Sequence, residues 1–202
     1  MARYTGPRTR VSRRFGIPIF GASKYLERRN YPPGVHGPKS RRKFSDYAIG
    51  LMEKQKLRYF YGLQERQFRR VYEKALRMRG VTGEKMLQLL ETRLDSVVYH
   101  GGFGITRPQA RQLVSHGHVK VNGRKVSVPS YLVKVNDVVE VKDHAVSKQL
   151  AGKCLEGSTA RVVPDWVALD RDHLKIKLLR VPSREEINPV ANEQAVVEFY
   201  SR

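Results

Sequence analysis

The feature that most constrains this chain is the run Val119-Lys120-Val121-Asn122-Gly123-Arg124-Lys125-Val126. Asn-Gly between alternating apolar residues specifies a two-residue β-hairpin, because both turn positions need positive φ. The register follows. Lys120 opposes Lys125 and Val119 opposes Val126, so Val119, Val121 and Val126 share one face and His118, Lys120, Lys125 and Ser127 the other. Just upstream, Thr106-Arg107-Pro108-Gln109 has the form of a capping box, with Thr106 as N-cap, Gln109 at N3 and Pro108 tolerated in the first turn. Gly117 ends that helix as C′. Arg107, Arg111 and Ser115 are spaced by four and share a helical face. Two lysines directly across a ladder repel unless an anion lies between them. A helix and a hairpin, both with basic outer faces, form a phosphate-binding surface. Its candidate members are Arg107, Arg111, Gln112, Ser115, His116, His118, Lys120, Asn122, Arg124 and Lys125.

Charge says what such a surface is for. The chain carries 39 Lys+Arg against 19 Asp+Glu, a formal net charge of +20 over 202 residues. A free protein this basic repels itself and is expected to live against a polyanion, which excludes an ordinary metabolic enzyme as the default. Residues 1–80 hold 21 of the bases and 5 of the acids, whereas 134–202 holds 11 of each. Hydrophobic residues make up 40%, too many for a wholly disordered basic tail. One cysteine, Cys154, excludes an internal disulfide and a multi-thiolate metal site. No apolar run approaches the ~18 residues of a membrane span. The first residues lack the apolar stretch of a secretory signal. Their Arg-rich, acid-poor character shares features with an organelle transit peptide, but Gly6 and Pro7 interrupt any amphipathic helix.

Residues 1–44 read as an extended basic arm with no persistent period. Arg3, Arg8, Arg10, Arg13, Arg14, Arg28 and Arg29 are interspersed with Gly and Pro, a Pro-rich bend follows at 31–38, and then Lys39, Arg41, Arg42 and Lys43. Such an arm buries too little to order alone and is expected to order on a partner. His36, in a turn beside glycine, fits an RNA contact better than a general base. Tyr4, Tyr25, Tyr31 and Tyr61 lie among the cations, where they could stack on unpaired bases or pack the helical core. Ser45 is a plausible N-cap for a helix to about Lys56, which carries Lys54 and Lys56, with Arg58 just beyond. Tyr61-Gly62 breaks the chain. A second helix over about 64–79 has Phe68, Val71, Tyr72, Ala75 and Leu76 as its core stripe, and Gly80 stops it. Arg66, Arg69, Arg70 and Arg77 lie off that stripe, as an RNA face or a solvated one. An apolar segment over 84–90 continues towards Arg93. Strands are expected at 138–141, 166–169 and 174–179, and loop with some helix at 142–157. The pattern of the tail, 192–202, does not decide helix from strand.

These residues carry a resemblance. Leu90-Glu91-Thr92-Arg93-Leu94-Asp95-Ser96-Val97-Val98-Tyr99, Thr106-Arg107, Ala110-Arg111-Gln112-Leu113-Val114-Ser115-His116-Gly117-His118, Val121-Asn122-Gly123 and Pro129-Ser130-Tyr131 resemble the S4-type RNA-binding domain. Met1-Ala2-Arg3-Tyr4, Pro32-Pro33-Gly34, Glu53-Lys54-Gln55-Lys56, Glu65-Arg66-Gln67-Phe68-Arg69 and Val197-Glu198-Phe199-Tyr200-Ser201-Arg202 extend it, in order, to the bacterial or organellar S4 family of ribosomal proteins. The resemblance implies a mostly helical domain, 45–92 with 181–202, in which the tail packs back as a helix. An α+β domain over 93–180 is inserted, with the S4-type RNA-binding part at about 93–155. It further implies a structural, non-enzymatic role. The protein would bind small-subunit ribosomal RNA early, nucleate assembly of the subunit body and contribute to translational accuracy. Ribosomal proteins S5 and S12, and messenger RNA where it enters the subunit, would be neighbours, in the cytoplasm. Some family members bind zinc through four cysteines in the arm; here the arm has none, so no metal and no cofactor is expected.

Arg93-Leu94-Asp95 matches the Arg-Leu-Asp motif of RNA pseudouridine synthases, whose aspartate is catalytic. In those enzymes the motif follows the small RNA-binding domain, whereas here it precedes it. Asp95 is therefore expected to pair with Arg93 or a helix end, and Arg93 is a candidate RNA contact. His116 and His118 lack a partner ligand for a metal and read as local packing or phosphate contacts. The competing class is an RNA-processing enzyme or chaperone built on the same domain, which would need a catalytic domain this chain lacks. Regulation of a messenger RNA that mimics the ribosomal site is compatible with the first reading.

Overall fold

The computed structural model describes residues 4–39, 43–158, 161–187 and 190–201. In chain order the elements are α1 (Arg8–Phe15), α2 (Lys24–Arg28), α3 (Asp46–Phe60), α4 (Glu65–Leu76), α5 (Thr82–Glu91), α6 (Leu94–His100), α7 (Arg107–Ser115), β1 (Val119–Val121), β2 (Arg124–Lys125), β3 (Val138–Val141), α8 (Ala145–Gly157), β4 (Val167–Asp170), β5 (Lys175–Leu178) and α9 (Glu193–Ser201). They form two compact units, 1–86 with 189–202, and 87–188. By their contacts, residues 1–44 group with the first unit. Among the described residues no helix is long and apolar enough to cross a membrane.

In the first unit the expected extended arm contains two helices. Pro7 occupies the N-cap of α1 at φ −69°, and Gly16 ends it in the left-handed region at φ +70°. Val11, Ile19 and Leu26 are buried, and the rings of Tyr4, Phe15 and Phe20 gather round Tyr59 of α3 at centroid distances of 5.0, 6.3 and 6.3 Å. These anchors are scattered singly through polar sequence, which is why no period announced them. The Ser45 hydroxyl accepts from the Ala48 N–H, as its capping role requires, and α3 runs on to Phe60 before Gly62 turns at φ +62°. Helix α4 stops at Leu76, short of Arg79. Phe68, Tyr72 and Ala75 are buried as expected, while Leu76 is exposed and Gly80 lies beyond the helix end.

Packing decides the tail. α9 lies against α3 with Val196 fully buried, and Gly50 permits the approach, since a Cβ there would sit 3.2 Å from Cβ of Phe199. Tyr200 stacks on Tyr72 at 4.8 Å, and its hydroxyl donates to Glu65 at 2.8 Å. Lys54 reaches the same carboxylate at 2.8 Å. Burial alone would raise the Glu65 pKa, but the hydrogen bonds from Lys54 and Tyr200 hold it below its usual value.

The second unit packs α6, α7 and α8 with a five-stranded antiparallel sheet of order β2-β1-β3-β5-β4. Leu94, Val97, Val98, Phe103, Ala110, Val114, Val139, Trp166, Ile176 and Leu178 form its core. All the expected strands are present. Residues 145–157, expected as loop with some helix, form one continuous helix that buries Ser147, Ala151 and Cys154. Arg161 ties the loop after α6, donating to the carbonyls of Tyr99, Gly104 and Ile105 with its guanidinium 3.9 Å from the Tyr99 ring centroid.

Candidate nucleic-acid interface

α7 is capped as its sequence demands. The Thr106 hydroxyl accepts from the Gln109 N–H, and Gly117 follows the helix at φ +72°. The return bond of the box is displaced by one residue, since the Gln109 side chain accepts from the N–H of Ile105. Arg107 and Arg111 share a face, but it is not an outer face. Their side chains are only 12% and 11% exposed, and both are turned onto acids. Arg107 donates to Glu91 at 3.3 Å and to the Ser96 hydroxyl at 3.1 Å. Arg111 donates to Asp95 at 3.2 Å. Arg93 clasps the same carboxylate with two bonds, 3.0 and 2.7 Å, and His100 meets Glu91 at 2.5 Å. Burial pushes the Arg111 pKa down, and Asp95 works against that shift.

Arg93, Arg107 and Arg111 are therefore each paired with a carboxylate inside the unit, rather than on the outer face expected of Arg107 and Arg111. The sequence did hold a signal: Glu91 and Asp95 stand four apart ahead of a basic helix face. Asp95 pairs with Arg93, as expected, and both of its oxygens are engaged in a buried site, unlike a carboxylate poised for catalysis. Ser115 donates to the Arg111 carbonyl at 2.8 Å.

The hairpin keeps its predicted register, with Lys120 opposite Lys125. Val119 and Val121 are buried, while Asn122, Arg124 and Lys125 are exposed. Asn122 supports the turn itself, adopting φ 49° and bonding Asp137 at 2.8 Å and the Val138 N–H at 2.9 Å. On its other side Lys120 faces Glu140 of β3, a counter-charge the sequence reading missed. Gln112 and His116 are exposed at the end of α7. His118 bonds the Ser147 hydroxyl at 2.9 Å, and burial, then His116, His144 and Lys142, lower its pKa.

In the first unit Arg3, Arg41 and Arg42 lie outside the described residues. Arg8, Arg10, Arg14, Arg28, Arg29, His36, Lys39, Lys43, Arg66, Arg69 and Arg70 are exposed. Among the described residues, Arg69 with Glu73 at 3.3 Å is the one ion pair any of these cations makes. Arg13 is different, because its Nε donates to the carbonyls of Arg29 and Tyr31, both at 3.2 Å. Five other candidates, Tyr4, Lys54, Lys56, Arg58 and Tyr61, are engaged within the fold. Lys54 is 6% exposed against Glu65 and the Phe199 ring, and Tyr61 is 5% exposed. Lys56 pairs with Glu53 at 2.5 Å, and Arg58 lies over the Tyr59 ring at 4.7 Å. Tyr4 packs in the aromatic cluster on α3. Among the described residues no three His, Cys, Asp or Glu side chains gather where they could hold a metal ion.

Comparison with known proteins places this arrangement. The family profile described as ribosomal protein S4/S9 N-terminal domain matches residues 3–91, and that of the S4 domain matches residues 92–139. Small ribosomal subunit protein uS4 of Opitutus terrae is 60% identical over 202 residues, and that of Akkermansia muciniphila 57% over 203. The uS4 of Thermus thermophilus is 49% identical over 209 residues, and in all three cases the match spans 100% of both chains. With both profiles in tandem and relatives matched end to end, the chain belongs to the uS4 family of small ribosomal subunit proteins.

Proposed function

We propose that this chain is a structural component of the small ribosomal subunit that binds small-subunit ribosomal RNA directly, nucleates assembly of the subunit body and contributes to translational accuracy. It acts in the bacterial cytoplasm as part of the subunit and carries out no catalysis. Ribosomal proteins S5 and S12, and messenger RNA where it enters the subunit, are its proposed neighbours.

The observation that carries this reading is a division of the cations into two classes. Arg93, Arg107 and Arg111 of the second unit are matched to carboxylates, whereas Arg8, Arg10, Arg14, Arg28, Arg29, Lys39 and Lys43 are exposed and have no ion-pair partner among the described residues. Exposed cations without counter-charges repel one another, and phosphates reverse the sign of that interaction. The exposed cations of the hairpin, Arg124 and Lys125, add a second patch.

Filter binding of the full chain to transcribed small-subunit ribosomal RNA tests the reading. With about eight phosphates neutralised, log affinity against log salt falls with a slope near −6 to −7. A slope shallower than about −2 overturns the electrostatic reading. Loss of the protein from small subunits in a mild salt wash argues against a structural component.

A further inference from the structure

Between α1 and α2 lies a cavity of about 250 Å³, lined by Thr9, Arg13, Tyr25, Arg28 and Arg29. Its volume is that of about eight liquid waters, below the 300–1,000 Å³ of a drug-sized site. Tyr25 is 68% exposed, and its ring has no aromatic or cationic partner among the described residues. An aromatic ring left so open beside three arginine side chains is unusual for packing and suited to stacking. Arg13 is set in advance. Its Nε is held by the carbonyls of Arg29 and Tyr31, and its guanidinium carbon sits 4.9 Å from the Tyr31 ring centroid. Its two terminal nitrogens make no hydrogen bond among the described residues. The sole acid of α2, Glu27, does not line the cavity.

We propose that this cavity is a single-nucleotide subsite, which takes one unpaired base of the bound RNA stacked on the Tyr25 ring. Arg28 and Arg29 hold the flanking phosphates, and Arg13 and Thr9 reach the base edge or the ribose. A base fits better than a bare phosphate, because a phosphate gains nothing from a phenol face. A base pair is too large for the space. The proposal rests on the chain being an RNA binder and adds which nucleotide state the first unit reads.

The experiment uses the full chain, with small-subunit ribosomal RNA, a short oligoadenylate and the oligoadenylate–oligouridylate duplex of equal length as probes. Tyr25→Ala weakens binding to the ribosomal RNA and to the single strand by about five- to a hundredfold, the worth of one base–aromatic stack, and leaves duplex binding unchanged. Tyr25→Phe binds like the parent. Arg28→Gln lowers the salt slope by about one, whereas Tyr25→Ala does not change it. If Tyr25→Ala disturbs the melting temperature, Tyr25→Leu, which keeps bulk without a π-face, makes the same comparison. Parental affinity in Tyr25→Ala, equal loss in Tyr25→Phe, or equal loss on the duplex each overturns the subsite. None of these touches the broader reading, which fails separately if the parent protein binds ribosomal RNA weakly and without steep salt dependence.

Discussion

Asp95 is the residue on which the interior charges of the second unit turn. It is 6% exposed and serves two arginines, so Asp95→Asn leaves Arg93 and Arg111 buried side by side with no carboxylate between them. That loss is expected to cost about 3–5 kcal/mol, read as a lower urea midpoint. Arg111→Ala leaves Asp95 still clasped by Arg93 and is expected to cost less, about 1–3 kcal/mol. A double-mutant cycle that shows the two losses simply adding removes the network. His118 makes a second, independent prediction. Its pKa in the folded state lies below 6.5, chiefly through burial, so the unfolded chain takes up the proton first as pH falls. Stability is then complete above pH 6.5 and declines as pH drops through and below that value. Urea unfolding between about pH 5 and 8 should show the decline, flattened in His118→Gln. An unchanged profile in that variant assigns the slope elsewhere.

At the scale of elements the hairpin separates folding from binding. Gly123 sits at φ +78° with nothing within 4 Å of an added Cβ, so Gly123→Val meets backbone strain alone. The expected cost is about 1–2 kcal/mol, seen as a lower melting temperature. Lys125→Ala does the opposite. It removes an exposed cation directly across from Lys120, so melting should hold or rise slightly while RNA affinity falls and the salt slope drops by about one. If both variants change melting and affinity in parallel, the hairpin is a structural element only.

For the whole molecule the governing quantity is the net charge of +20. Self-repulsion in the free protein is screened by salt, and so are its attractions to phosphate. Added salt should therefore raise the melting temperature of the free protein while it lowers RNA affinity. Differential scanning calorimetry alongside filter binding tests this pairing of opposite signs. A melting temperature that falls with salt would show that internal pairs such as Arg107–Glu91 outweigh the surface repulsion.

What the sequence determined by itself was local chemistry: the caps at Ser45 and Thr106, the stop at Gly117, the Asn122-Gly123 register and the strands over 138–141 and 166–179. Each rests on interactions within a few residues, where backbone preference and short hydrogen bonds leave little choice. The sequence also determined that the chain must meet a polyanion, because the excess of bases is a sum over residues and needs no coordinates. Only the tertiary structure decided which bases are already paired with acids inside the fold. A face of Arg107 and Arg111 reads the same whether it looks to solvent or to Glu91 and Asp95, since i,i+4 spacing fixes a shared direction but not what lies in it. The helices in 8–15 and 24–28 and the helical tail were likewise decided by burial against α3 and its neighbours, through contacts such as Tyr4 with Tyr59 and Phe199 over Gly50. Their partners stand far off in the chain, and desolvation across such a distance leaves no periodic trace in the residues that undergo it.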